Sequence, residues 1–325
     1  MRGKTLTILS LLLVLAVLLL VFFIFERGEV KVLKKQKFLV GEFTHQDVSF
    51  VSVYFRDYYD RTKEYRYTLF KSNDTWFVSH SNVVDRVDPK LGNFVVNILG
   101  DIESLGTISS NEVEDINVAF GFNIPNAEIE FDVRGKTNRL RVGNLAPTKD
   151  YYYTLLNDNY ATIYLVYAYK IDNILKYPYE IRDRNIFTYQ WTNVMGFEYK
   201  PVSSTNVFVF TNSNKVWFLL QPLHKEVDSV FVETEFLKNL RSIQIEYFID
   251  RDDRRYSLFI PKTNSPISYI RLYNAGERFL LLVLTNISTN FYCFDPQRNV
   301  LFAIDYESTK SLFASGYERF VKITN

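Results

Sequence analysis

Three histidines and one cysteine are the residues of this chain whose types suggest metal or thiol chemistry. His45, His80 and His224 lie far apart in the sequence, and none has a second ligand at the i, i+4 spacing of a helical zinc site. We therefore expect them to be ordinary polar side chains, and we predict no metal and no cofactor. Cys293 has no partner for an intrachain disulfide, and its aromatic neighbours predict a buried strand thiol, with a reactive thiol as the alternative.

One group of carboxylates has a spacing that could indicate a metal site. Glu128, Glu130 and Asp132 alternate with apolar residues, so all three share one face of a strand. Such a trio could hold a metal. However, the chain turns back at once through Arg139 and Arg141, and opposed Glu and Arg side chains suit a solvated hairpin. We interpret the trio as a sheet face.

Two charged segments are predicted to be loop tips. Asp250 precedes the charge run 251–255, and the segment 57–61 combines two tyrosines with aspartates and an arginine. Each is a solvated tip or a contact with a partner, and tyrosines could also stack on a sugar. Because loops present functional side chains more often than core strands do, an interface is predicted at these tips.

No familiar catalytic motif accompanies these residues. The sequence has no Gly-x-Ser-x-Gly elbow, no Cys/His pair of suitable spacing and no Walker A loop. We predict no catalytic, cofactor-binding or metal-binding residue, no small-molecule substrate and no enzyme. The formal net charge of +1 also argues against a nucleic-acid partner, because such proteins usually have a clear basic surplus.

The elements that would position these residues follow a repeated plan. A turn, a Trp-containing strand and a capped helix occur at 73–105 and again at 212–243, with the tryptophans 141 residues apart. The matching residues are Trp76 and Trp217 in the strands and Asp88 and Asp228 as helix N-caps. In the first helix, the apolar residues from Leu91 to Leu105 form one stripe. This repeat indicates an internal duplication.

The predicted fold class is α+β. Aromatic residues make up 17% of the chain, with 28 Phe and 23 Tyr, which favours strands and supplies a large core. We predict two tandem, similar sheet-plus-helix halves made mainly of antiparallel strands. The first domain would span 47–190 and the second 191–325.

The N-terminus reads as a membrane anchor. Residues 6–25 are almost entirely apolar, and a helix of this length reaches about 30 Å, the thickness of the hydrocarbon core. Bulky residues end the run where a cleaved signal peptide would have small ones. We predict a transmembrane signal anchor at 1–26 and a basic juxtamembrane stalk at 27–46. The protein would be single-pass in the inner (cytoplasmic) membrane, with its soluble part outside the cytoplasm, although basic residues after the span count against export.

Several short motifs occur in an order that resembles a bacterial family of unknown function, DUF4340, often found with gliding-motility-type ABC transporters. The residues that carry the resemblance are Asn73-Asp74-Thr75-Trp76, Val87-Asp88, Phe120-Gly121-Phe122-Asn123-Ile124-Pro125, Val142-Gly143, Tyr151-Tyr152-Tyr153 and Arg182-Asp183-Arg184. They cover most of 45–190 and, more weakly, the second half. The chain departs from the family pattern at Val87, where Ala is usual, and at Ser79-His80-Ser81, which lacks the usual Pro.

The resemblance implies a non-enzymatic, membrane-anchored accessory subunit of a gliding-type ABC transporter. Its partners would be the permease, the ATPase and a second exported subunit, and its soluble domain would act through protein–protein contacts. The alternative is an anchored extracytoplasmic module that binds cell-wall glycan or polysaccharide.

Overall fold

A computed structural model describes residues 39–110, 113–187, 193–202, 204–314 and 316–321. The predicted anchor at residues 6–25 and most of the predicted stalk lie outside this part. Within the described ranges, none of the helices combines the length and the apolar composition that crossing a membrane requires.

Eighteen strands in the described ranges form two nine-stranded sheets. The strands of the first sheet are β1 (Val48–Arg56), β2 (Glu64–Ser72), β3 (Thr75–His80), β4 (Val83–Arg86), β5 (Ser104–Ser109), β6 (Ala127–Val133), β7 (Lys136–Leu145), β8 (Tyr151–Leu156) and β9 (Thr162–Tyr167). The strands of the second sheet are β10 (Gly196–Lys200), β11 (Phe208–Ser213), β12 (Val216–Gln221), β13 (Lys225–Glu226), β14 (Tyr247–Ile249), β15 (Ser268–Tyr273), β16 (Arg278–Ile287), β17 (Asn290–Asp295) and β18 (Val300–Asp305).

Short helices follow the strands in both halves of the sequence. The first set is α1 (Pro89–Gly100), α2 (Ile116–Phe120), α3 (Ala168–Ile174) and α4 (Pro178–Ile181). The second set is α5 (Ser229–Phe231), which continues through a π-helical segment (Val232–Leu237) into α6 (Lys238–Arg241), then α7 (Arg254–Phe259) with a 3-10 turn (Ile260–Asn264), α8 (Tyr306–Ala314) and a closing 3-10 turn (Tyr317–Phe320).

The order of strands in the two sheets is the same. The first runs β4-β3-β2-β1-β6-β7-β8-β9-β5 and the second β13-β12-β11-β10-β15-β16-β17-β18-β14, so each strand of one has a counterpart in the other. The strand pairs with a described register are antiparallel, for example β1 with β2 and β10 with β11. The predicted α+β class with two similar antiparallel sheets is therefore confirmed.

The two repeated tryptophans occupy equivalent surroundings. The carbonyl oxygen of Trp76 accepts from Val87 N at 3.0 Å, and that of Trp217 accepts from Val227 N at 3.0 Å. Each indole N–H donates to the following helix, Trp76 to the Oδ1 of Asn93 at 3.0 Å and Trp217 to the Oε1 of Glu233 at 2.9 Å. Shared topology and shared hydrogen bonds support the predicted duplication.

The first repeated helix differs from its predicted extent. It ends at Gly100, so the apolar stripe does not continue to Leu105, which lies in β5. The buried positions of the helix are Gly92, Val95, Val96, Leu99 and Gly100. A Cβ at Gly100 would lie 2.4 Å from the carbonyl oxygen of Phe43. The glycine therefore permits a close backbone approach, which apolar periodicity alone does not reveal.

The described chain divides into two compact units. Among the described residues, one contains 39–44, 97–129 and 138–174, and the other contains 45–96, 130–137 and 175–321. The first unit has an aromatic cluster in which Phe120 and Phe122 pack with Leu155 and Ile163. The second has a core in which rings such as Phe197, Phe210, Trp217, Phe236 and Phe320 pack together.

Candidate functional site

The residues suited to chemistry are scattered rather than gathered in one place. Cys293 is fully buried on β17, and burial raises the pKa of its thiol, which confirms the buried-thiol interpretation. His224 is exposed and His45 is half-buried. His80 is the exception, because its Nε2 lies 3.9 Å from the Oδ2 of Asp250, at the start of the predicted charged tip.

The carboxylate trio in the first sheet behaves as a sheet face. Glu128 contacts both arginines of the returning strand, with its Oε2 2.6 Å from Arg139 Nη2 and its Oε1 3.3 Å from Arg141 Nε. The predicted cross-strand pairing of Glu and Arg is confirmed. Within the described ranges, no group of three or more His, Cys, Asp or Glu side chains is arranged to hold a metal ion.

The tip between β1 and β2 is a hydrogen-bonded loop in the second unit that presents two tyrosines. Tyr58 is 73% exposed and Tyr59 is 92% exposed, with their ring centroids 5.1 Å apart. Beneath them, the Oδ1 of Asp57 accepts the backbone N–H groups of Tyr59 and Asp60 at 2.8 and 2.9 Å, and its Oδ2 accepts the hydroxyl of Tyr177 at 2.8 Å.

The electrostatics of this tip follow from the same hydrogen bonds. The pKa of the Asp57 carboxyl is lowered by three hydrogen bonds. The largest effect comes from the backbone N–H of Asp60, followed by the hydroxyl of Tyr177 and the backbone N–H of Tyr59. The hydrogen bond from its hydroxyl to Asp57 raises the pKa of Tyr177 to about 12. Asp57 is therefore a carboxylate that organises the loop, and Tyr177 remains a neutral donor at physiological pH.

A buried network of arginines and aspartates lies elsewhere in the second unit. At its centre is Asp85 on β4, whose side chain has no exposed surface. The Oδ2 of Asp85 accepts from Arg182 Nε at 2.8 Å and from Arg298 Nη2 at 2.9 Å, and its Oδ1 accepts from Arg298 Nε at 2.8 Å. One carboxylate is thus hydrogen-bonded to two guanidinium groups away from water.

Arg182 also contacts the segment that contains the second predicted tip. Its Nη1 donates to both carboxylate oxygens of Asp250, at 2.7 and 3.0 Å. Its guanidinium carbon lies 3.6 Å from the ring centroid of Phe248, a cation–π contact. Its Nη2 is buried and has no acceptor among the described residues. Arg182 is therefore held on three sides, with one donor group unused.

Arg298 connects the network to the segment after Arg182 through hydrogen bonds to backbone carbonyl groups. Its Nη2 donates to the carbonyl oxygen of Asp183 at 2.8 Å, and its Nη1 to that of Asn185 at 3.2 Å. Arg86 lies next to it, with its Nη2 3.4 Å from the Oδ2 of Asp183. In the Arg182-Asp183-Arg184 motif, the first two residues are thus buried in the network, whereas Arg184 is exposed.

Burial and charge act in opposite directions on the pKa values of the network. Burial alone would raise the pKa of the Asp85 carboxyl, but Arg298 and Arg182 outweigh it, and the pKa is lowered. Burial lowers the pKa of His80, and this effect exceeds the opposing influence of Asp250. Asp85 is therefore ionised and His80 neutral at physiological pH, so the network is held by arginine–carboxylate pairs.

A pocket of about 220 Å³ adjoins this network. Its polar lining consists of Asn82, Arg182, Asp250, Arg251, Tyr256, Arg298 and Asn299, and its apolar lining of Val83, Val84, Ile249, Val300 and Leu301. The start of the predicted charged tip, Asp250-Arg251, therefore forms part of a pocket wall. The role of that segment in partner contact stays a prediction.

Sequence reasoning missed Asp85 and Arg298. A signal for Asp85 was present: in the run Val83 to Val87 it has the same strand parity as Val87, which is buried. An acidic residue at a core-facing position indicates a buried partner, because an unpaired buried charge is very costly. Arg298 gave no such signal, since it lies in a turn where a charge is normally solvated.

Comparison with models of protein families assigns a large part of this chain to a family. The model of the family described as "Domain of unknown function (DUF4340)" matches residues 94–259, just over half of the 325-residue chain. The matched range begins within α1, includes Arg182 and Asp250, and extends into the second sheet. A search of curated proteins finds no relative that matches this chain. On the strength of the family match and of the ordered motifs within it, this chain belongs to the DUF4340 family.

Proposed function

We propose that this protein is a non-enzymatic, membrane-anchored accessory subunit of a gliding-type ABC transporter complex. Residues 6–25 anchor it in the cytoplasmic membrane, and its soluble part lies outside the cytoplasm and acts through contacts with other subunits. The observation that carries the proposal is the hydrogen-bonded β1–β2 tip, with Tyr58 and Tyr59 exposed at its end.

The tip has the properties of a protein-binding surface. Tyrosine offers a large contact area with few rotatable bonds, and it is enriched among residues that dominate binding energies. Asp57 already holds the loop through two backbone N–H groups and the hydroxyl of Tyr177. Because these hydrogen bonds restrain the loop, association loses less conformational entropy than it would with an unrestrained loop.

The hydrogen bonds within the buried network favour a structural role over a role in acid–base catalysis. Asp85 accepts three hydrogen bonds from two arginines, and Asp250 accepts two from Arg182. A carboxylate that is engaged in this way is held ionised and is a poor general acid or base at neutral pH. The partners we propose are the permease, the ATPase and a second exported subunit.

The test is co-purification of the transporter subunits with the tagged, full-length protein in mild detergent. Replacing two binding tyrosines (Tyr58→Ala with Tyr59→Ala) should weaken the complex roughly thirtyfold, as expected for a loss of about 2 kcal/mol. Tyr169→Ala is the matched control, because Tyr169 is 58% exposed in the other unit. Undiminished recovery with the double variant would contradict the role of the tip. Retention on cell-wall glycan without any transporter subunit would favour the binding-module alternative.

A further inference from the structure

The pocket beside the buried network has an excess of positive charge. Three arginines and one aspartate line it: Arg182, Arg251, Arg298 and Asp250. Arg182 is compensated by Asp250 and Asp85, and Arg298 by Asp85. Arg251 is exposed, and its side chain makes no ion pair with any residue in the described ranges. The neighbouring Asp252 is exposed and is not part of the lining. One uncompensated positive charge therefore belongs to the pocket.

The pocket also has hydrogen-bond donors to spare. Arg182 has 1% of its surface exposed, and its Nη2 has no acceptor in the described part of the chain although its Nε and Nη1 are both bonded. Because this nitrogen has no exposed surface, Arg182 contributes its positive charge to the lining, and the donors for a ligand come from other residues. Asn82 and Asn299, which lie in turns, and the hydroxyl-bearing Tyr256 add donors to the lining.

We propose that this pocket binds a carboxylate group. The single surplus charge of Arg251 matches a monoanion, whereas a phosphate dianion would leave negative charge beside Asp250. Carboxylate oxygens also suit the paired N–H groups of a guanidinium. The carboxylate belongs either to a small free acid or to an acidic side chain of a partner. The proposal is independent of the β1–β2 tip, and either can fail without the other.

The test is titration of the full-length protein in detergent by saturation-transfer NMR. Acetate serves as the carboxylate probe, acetamide as its uncharged isostere, and a Gly-Glu-Gly peptide blocked at both ends as the stand-in for a partner's side chain. Acetate should bind saturably and acetamide should not. Tighter binding by the peptide than by acetate assigns the carboxylate to a partner protein, and binding by acetate alone assigns it to a small acid.

Matched variants test whether acetate binding depends on the pocket itself or only on the positive charge of this segment. Arg251→Gln should weaken acetate binding about tenfold or more, the loss expected for one charge-assisted hydrogen bond. Arg254→Gln removes the same charge three residues away, at an exposed residue outside the lining, and should leave the affinity unchanged. Equal affinities of the two variants, equal binding of acetate and acetamide, or tighter binding by inorganic phosphate than by acetate would overturn the proposal.

Discussion

The buried position of Asp85 makes the substitution Asp85→Asn the most informative test of how the second unit is held together. The change keeps the size of the side chain but removes its negative charge. Arg182 and Arg298, which now share this carboxylate at 2.8 to 2.9 Å, would face a neutral amide. Asp250 would be left as the remaining carboxylate bonded to Arg182.

The expected loss of stability follows from the burial of the pair. The side chains of Asp85 and Arg182 have no exposed surface, and that of Arg298 is 7% exposed. Removing one partner of a buried ion pair leaves an uncompensated charge away from water, which costs about 3–5 kcal/mol. This is a large share of the roughly 5–15 kcal/mol by which folded domains are stable.

Urea unfolding of the full-length protein, followed by tryptophan fluorescence, measures the effect. Trp76 is a suitable reporter, because it lies on β3, next to the strand that contains Asp85. Asp47→Asn is the control: Asp47 pairs with Arg134 at 2.9 Å, but the arginine side chain is 65% exposed. An exposed pair of this kind contributes at most about 1 kcal/mol.

The double variant Asp85→Asn with Arg298→Gln gives a second measurement. If the network is one unit, removing both partners should destabilise the protein by less than the sum of the two single changes, since fewer uncompensated charges remain. The reasoning would be refuted if Asp85→Asn cost no more than Asp47→Asn, or if the two single changes at the network were additive.

Two further changes probe His80 and Gly143. Because the folded-state pKa of His80 is lowered, the unfolded chain binds the proton more tightly, so the free energy of unfolding should fall as the pH drops below about 6.5. His80→Gln should show a shallower fall in urea titrations between pH 7.5 and pH 5.5, and an unchanged slope would contradict this account. At Gly143, an added Cβ would lie 2.1 Å from the carbonyl oxygen of Phe120. Gly143→Ala should therefore destabilise the protein by roughly 1–3 kcal/mol in the same urea assay. A neutral result would mean that the backbone moves freely there.

Much of the architecture was predictable from local patterns. The repeat of Trp and capping Asp residues predicted two similar halves, and the strand orders of the two sheets agree. Asp88 and Asp228 act as predicted, each accepting two backbone N–H groups at the start of its helix. Patterns of this kind succeed because capping and strand alternation depend on residues close together in the sequence.

The candidate site was only partly predictable. The exposure of Tyr58 and Tyr59 was predictable, because runs of charged and aromatic residues mark exposed loops, and an interface at this tip or at the segment from Asp250 stays a prediction. The network was not predicted, since Asp85 and Arg298 are 213 positions apart in the chain. Nothing in the immediate neighbourhood of either residue identifies the other as its partner.

The amino-acid sequence by itself determined the class of fold, the duplication and the starts of the two repeated helices, all of which depend on short-range spacing. The tertiary structure alone decided which charges are buried together, that Gly100 lies against the backbone at Phe43, and that Asp250-Arg251 forms part of a pocket. The physical reason is that the energy of a charge depends on its burial and on its partners, and both are set by segments that meet only when the chain folds.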